Sequence, residues 1–154
     1  MHSCGDKRFN PIHSNNLKEK TVPTNVITGR DLTLTIATTS YDAQATSATL
    51  TNEHTIETYQ TLDGRAYKAI DDQWTFAVEM LADWGAAGSL CEALWTACET
   101  APNTVLAVSL TAVTGAVFAF NVLPVFPSVG GAAPSAQTVS LSFTVVGTPT
   151  ETFS

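Results

Sequence analysis

Few residues in this chain could do chemistry, and none sits at a spacing that chemistry requires. His2, Cys4 and His13 could mimic a metal set, but the intervals are not those of a zinc site. His54 stands alone between Glu53 and Glu57. Asp71 and Asp72 point to opposite sides if extended, lack the further acids of a calcium loop, and read as a solvated turn. Cys91 and Cys98 would lie about 10 Å apart on one helix, too far for a disulfide. They read as small buried hydrophobes. Trp74, Trp84 and Trp95 could make a sugar platform, yet Trp74 belongs to an alternating segment and Trp95 to a helical one. Core packing is the expectation for them. No Gly-x-Ser-x-Gly elbow, phosphate loop or Cys-x-x-Cys pair occurs. The expectation is no enzyme, no cofactor and no metal.

The elements that could position functional side chains stand out more clearly. From Thr100 to Thr150 there is no Asp, Glu, Lys or Arg. Within that stretch Val139, Leu141, Phe143 and Val145 alternate with Thr138, Ser140, Ser142 and Thr144. This is a strand with one apolar and one hydroxyl face. Soluble monomers usually charge the outer faces of such strands and guard their edges. An uncharged face and edge imply protein neighbours, and so an assembly subunit.

Charge is divided by position. All seven basic residues lie at or before Lys68, where seven acids balance them. Residues 69–154 hold Asp71, Asp72, Glu79, Asp83, Glu92, Glu99 and Glu151 and no base, so the net charge of −7 belongs to that half. A base-free acidic surface repels nucleic-acid phosphates rather than holding them. It is compatible with DNA that only slides past.

Residues 1–28 are polar and aperiodic and read as an arm, with the remaining 29–154 as one domain. Lys7, Arg8, Lys18 and Lys20 against Asp6 and Glu19 give residues 1–20 a net charge of +2. The first twenty residues show no signal peptide. The segment 31–38 reads as a strand, and 39–52, rich in Ser, Thr and Ala, as a long mobile or functional loop. Residues 55–62 and 65–70 flank Asp63-Gly64, a hairpin signal. A strand carrying Trp74, Phe76, Val78 and Met80 follows. Ser89 and Glu92 form a capping-box signature for a helix at about 89–100, which Pro102 ends. Further strands are expected at 104–112, 116–123 and 137–146. The segment 104–127 is long and apolar enough to cross a bilayer as a helix, but its β-branching and Thr114-Gly115 favour a hairpin, so no membrane is expected. The fold class is mainly β: a sandwich or partly closed barrel with one flanking helix.

In order along the chain, several short segments resemble the major tail protein, or tail tube protein, of long-tailed bacteriophages, in the form found in siphophages of actinobacteria. They are Thr28-Gly-Arg-Asp-Leu-Thr-Leu-Thr35, Tyr41-Asp-Ala-Gln44, Ser47-Ala-Thr-Leu50, and Gln60-Thr-Leu-Asp-Gly64 with Ala66-Tyr-Lys68. They continue with Trp74, Leu81-Ala-Asp-Trp-Gly85, Gly88-Ser-Leu-Cys-Glu-Ala-Leu-Trp95, Gly130-Gly-Ala-Ala-Pro134, Ala136-Gln-Thr-Val-Ser140 and Gly147-Thr-Pro-Thr-Glu151. The resemblance spans about residues 27–153. It implies a non-catalytic virion protein, assembled in the host cytoplasm. Rings, usually of six subunits, would stack into a tube whose inner barrel is built from neighbouring strands. Partners would be further copies of the chain and other tail proteins (tape measure, tail tip, terminator). DNA would pass through the lumen without specific binding. The candidate lumen-facing rows are Thr33 and Thr35, or Thr138, Ser140, Ser142 and Thr144. A ring-stacking loop is expected around Tyr41, Asp42, Gln44 and Ser47, and an inter-subunit arm around Lys7, Arg8, Lys18 and Lys20. A carbohydrate-binding or adhesion sandwich is the alternative; it would need exposed aromatics and would usually carry a secretion signal, and neither is apparent.

Overall fold

A computed structural model describes residues 25–154. After a short 3-10 turn, Gly29–Asp31, come strands β1 (Thr33–Ile36), β2 (Thr39–Ser40), β3 (Ala45–Thr61) and β4 (Gly64–Leu81). Helix α1 (Leu90–Thr100) leads to β5 (Leu106–Val113), β6 (Ala116–Val122) and β7 (Thr138–Phe153). The strands form one antiparallel sheet in the order β2-β1-β5-β6-β7-β4-β3, with β2 and β3 at its ends, so it does not close into a barrel.

Strand β7 is where the sheet divides. Thr138 to Thr144 pair with Leu81 to Thr75 of β4, whereas Val145 to Phe153 pair with β6. At the change the ladder shifts, and Gly147 takes φ +79°, a conformation that suits a residue without Cβ. The two wings fold over a common core. Phe76 of β4, stacked at 6.0 Å on its sheet neighbour Phe143, also meets Phe120 of β6 edge-on at 5.0 Å. Leu34 and Ile36 of β1 share this core with Val78, Met80, Val122, Val139 and Leu141. Each alternation read from the sequence thus sends its apolar set inward.

Helix α1 closes one end of the core with Leu90, Cys91, Leu94 and Cys98 buried. Ser89 caps it, accepting from the Glu92 amide at 3.2 Å. Glu92 does not complete the expected capping box: its carboxylate accepts instead from the Gly85 amide at 2.8 Å. The buried carboxylate of Asp83 takes the Leu90 amide at 2.7 Å, the Cys91 amide at 3.2 Å and the Ser89 hydroxyl at 2.9 Å.

Several boundaries differ from expectation. The first strand stops at Ile36, because Ala37 and Thr38 turn the chain with φ of +48° and +70°. The long loop over 39–52 is absent: Tyr41 is buried, and β3 begins at Ala45. Asp42 accepts from the Leu34 amide, which pins the turn to β1. Thr61 pairs with Gly64, so the hairpin turn is Leu62-Asp63, one residue before the expected pair. Asp71 and Asp72 lie within β4 rather than in a turn, beside a bulge at Ile70. The final strand continues to Phe153. The apolar stretch 104–127 contains the β5–β6 hairpin, turning at Thr114-Gly115, and among the described residues no helix is long and apolar enough to cross a membrane.

Candidate assembly surfaces

The outer face of the β3-β4-β7 wing is a field of hydroxyls. Register places Thr51, Thr75 and Thr144 in one row, then Thr49, Ala77 and Ser142, then Ser47, Glu79 and Ser140. Thr138 follows beside Leu81. All are exposed except the half-buried Thr75, and Glu79 is the only charge among them. The four β7 hydroxyls proposed from the sequence therefore share one surface with three from β3. Thr33 and Thr35 do not join them. They lie on the outer face of the other wing, beside Thr111 and Ser109 of β5, with the core between the two faces.

Among the described residues both edges of the hydroxyl wing are open: β3 pairs with β4 alone, and residues 138–143 of β7 pair with β4 on one side and with no strand on the other. A row of unpaired amides and carbonyls invites another strand.

Beyond this wing β3 and β4 continue alone as a hairpin. Residues 53–73 contain no buried position. Nine residues at about 3.4 Å each carry the turn about 30 Å past the core. The hairpin has two unlike faces. One continues the hydroxyl surface and bears Glu53, Gln73, Asp71, Glu57, Lys68 and Tyr59. The other continues the core face and bears Ile56, Tyr67, Thr58, Ala69 and the paired His54 and Asp72, with Arg65 nearest the turn. Ile56, Tyr67 and Ile70 are each more than half exposed, and Leu62 at the turn is fully so. An isolated two-stranded ribbon is at best marginally stable in water. One with an apolar face this exposed has the pattern of an element that is covered in an assembly.

At the opposite end of β4 lies a second apolar surface. Trp95 meets Trp84 at 6.2 Å and Phe126 at 5.0 Å, both edge-on, and its Nε1 donates to Glu99 at 3.0 Å. Trp95 is 38% exposed, Phe126 57% and Val129 68%. The expectation of a core Trp95 fails: the buried stripe of α1 is Leu90, Cys91, Leu94 and Cys98, and Trp95 stands at its edge with one side exposed. A shallow cavity of about 450 Å³ is lined by Trp84, Glu92, Trp95, Thr96 and Val129. Trp84 Nε1 is buried with no acceptor among the described residues.

The chain shares its fold with solved chains of two tail-type assemblies. A solved chain from the virion of a native gene transfer agent particle matches with a TM-score of 0.67 at 9% identity, covering 82% of this chain and 99% of that one. A chain from the sheath/tube terminator of an extracellular contractile injection system, in the extended state, matches with a TM-score of 0.61 at 10% identity, covering 84% and 99%. At these identities the likeness is one of fold. No protein-family model and no curated protein matches the sequence.

The remaining candidate residues sort simply. Tyr41 is a core residue, Gln44 uses its carbonyl to hold the Leu81 amide, and Ser47 belongs to the hydroxyl field. Lys7, Arg8, Lys18 and Lys20 lie outside the described residues. Burial pushes the Cys91 thiol up to about 11 and raises that of Cys98, so both stay protonated and unreactive at neutral pH. Among the described residues no three His, Cys, Asp or Glu side chains cluster as a metal site. Sequence reading missed the length of the hairpin and the exposure of its apolar stripe. The signal was present in the mixed polarity of 53–73, which contains Ile56, Tyr59, Leu62, Tyr67 and Ile70 among seven charged residues and a histidine.

Proposed function

We propose that this chain is the tube subunit of a phage-type tail, of the siphophage kind its sequence resembles, built as stacked rings that conduct DNA into a host. The observation that carries the reading is a three-stranded sheet, β3-β4-β7, with a hydroxyl outer face and two open edges. In a ring of six such subunits, β7 of one joins β3 of the next. The edges vanish, and the hydroxyl faces form the bore. β3 and β7 are both antiparallel to β4 and hence parallel to each other, so rotation about the ring axis makes this seam a parallel one. Duplex DNA presents about one negative charge per 1.7 Å of axis. A wall of Thr and Ser with Glu79 as its only charge gives phosphates nothing to hold. The stacking role expected of the loop around Tyr41, Asp42, Gln44 and Ser47 passes to the hairpin of residues 53–73, which reaches past the ring. The subunit does no catalysis, and its partners are copies of itself, with tape measure, tail tip and terminator proteins at the ends. Likeness in fold to virion and tube-terminator chains supports the reading.

Negative-stain microscopy of concentrated protein tests it. Hollow tubes are expected. Rings that never stack would move the reading to a terminator, and a monomer that stays single even with a tail-tip nucleator would sink it. The exposed Trp95 and Phe126 favour a second reading, a glycan-binding module. Retention of the monomer on a glycan array, lost in Trp95→Ala, would bring that reading forward.

A further inference from the structure

Among the described residues two apolar surfaces lack a cover, and they lie at opposite ends of one strand. β4 starts at the hairpin turn and ends at Leu81, two residues before Asp83 fastens the start of α1. Eighteen residues of strand at about 3.4 Å each separate the two ends. The hairpin cannot fold back onto its own Trp95 without breaking the ladder that continues it into the core.

The two surfaces also differ in charge. On the apolar face nearest the turn stands Arg65, one of the three basic residues at positions 25–154, while Lys68 lies on the hydroxyl face beside Glu57. Around Trp95 stand Glu92 and Glu99, and no base occurs anywhere in residues 69–154. Arg65 shares the hairpin face of Tyr67 and Ile56, so its guanidinium travels with the apolar stripe. A guanidinium over a tryptophan face, next to a carboxylate, is attracted by both.

We propose that the Leu62 turn of the hairpin seats on the Trp95–Phe126–Val129 patch of a second copy, with Leu62 and Tyr67 covering the aromatics and Arg65 facing Glu99. A contact between unlike surfaces at opposite ends of a subunit does not close on itself and propagates head to tail. This gives the stacking step of the tube reading its receptor, and it rests on that reading for the direction of stacking.

The test uses the full chain carrying Cys4→Ser, with Leu62→Cys and Val129→Cys together and singly. Both positions are highly exposed, so the fold should tolerate them. Under mild oxidation the double variant should give a ladder of disulfide-linked multimers on a non-reducing gel, and each single variant none beyond a dimer. Tubes that form without a ladder would overturn the seat and leave the tube reading standing. A ladder without tubes would keep the seat and overturn the tube. Neither ladder nor tube would overturn both. A charge exchange tests the chemistry: Arg65→Glu should lose pelletable assembly, and adding Glu99→Lys should restore it. Failure of the pair to recover would remove Arg65 and Glu99 from the contact.

Discussion

At the scale of single residues, Asp83 is the side chain on which the helix depends. Burial alone would raise its carboxyl, but hydrogen bonds from Leu90, Cys91 and Ser89 outweigh that effect and leave it below the ordinary carboxylate value. Asp83→Asn keeps the size but replaces one accepting oxygen by a donor, and should destabilise the fold by about 1.5–3 kcal/mol in urea titration. The sign of the pH dependence follows from the depressed value. The stabilisation is complete above the unfolded-state value of about 3.9 and is lost as pH falls through the lower folded-state value. The variant should therefore approach the parent in stability once pH falls below the folded-state value. Core aromatics behave differently. Phe143→Ala should cost about 3–5 kcal/mol, since Phe143 is fully buried against Phe76. Phe143 could be read from its alternation with serines and threonines. Asp83 could not, because its partners lie across a turn, while the nearer Ser89-x-x-Glu92 pattern offers a complete local answer. That pattern named the right cap and the wrong destination for Glu92.

At the scale of elements, turn chemistry separates what was legible from what was not. Thr114-Gly115 and the capping serine carry ordinary signals, and the β5–β6 hairpin and α1 appear where those signals point. Ala37-Thr38 carries none, so the first strand reads as running two residues past its true end at Ile36. A β-branched residue at φ +70° is held there by the strands around it, at about 1–2 kcal/mol. Thr38→Gly should raise the denaturation midpoint by about 1 kcal/mol equivalent, and an unchanged or lowered midpoint would show that the turn is unstrained. The hairpin 53–73 illustrates the opposite limit. Its length could not be read because mixed polarity resembles a solvated loop, and its periodicity is interrupted by the bulge at Ile70. Replacing both Ile56 and Tyr67 with Ser should leave monomer stability within about 0.5 kcal/mol, as surface substitutions do, while abolishing long tubes in the microscope. Loss of folding in that variant would mean the stripe is part of the monomer's own core. Deleting residues 42–50, by contrast, should unfold the subunit, since it removes the Asp42 anchor on β1 and the start of β3.

At the scale of the whole molecule, charge is partitioned along the chain, and the partition makes one more outcome testable. The segment 1–20 carries a net +2, and residues 69–154 carry seven acids without a base. The segment should dock on the acidic half of an adjacent subunit. Asp71, Asp72 and Glu151 are exposed acids away from the Trp95 patch. Opposed potentials of this kind set register and speed encounter more than they add affinity, so the effect belongs to assembly rate. It should also fade with salt, because the Debye length falls from about 10 Å at 0.1 M to about 3 Å at 1 M. Replacing Lys7, Arg8, Lys18 and Lys20 with Ser should slow assembly, followed by light scattering, at low ionic strength and leave it unchanged at 1 M. Removing residues 1–20 should do the same. The apolar seat of the hairpin would respond less, since salt screens Arg65 and Glu99 but leaves the burial of Leu62 and Tyr67 intact. If both arm variants assemble at the parental rate at every ionic strength, the basic segment has no part in joining subunits, and the acidic half of the molecule serves only to keep phosphates from the wall.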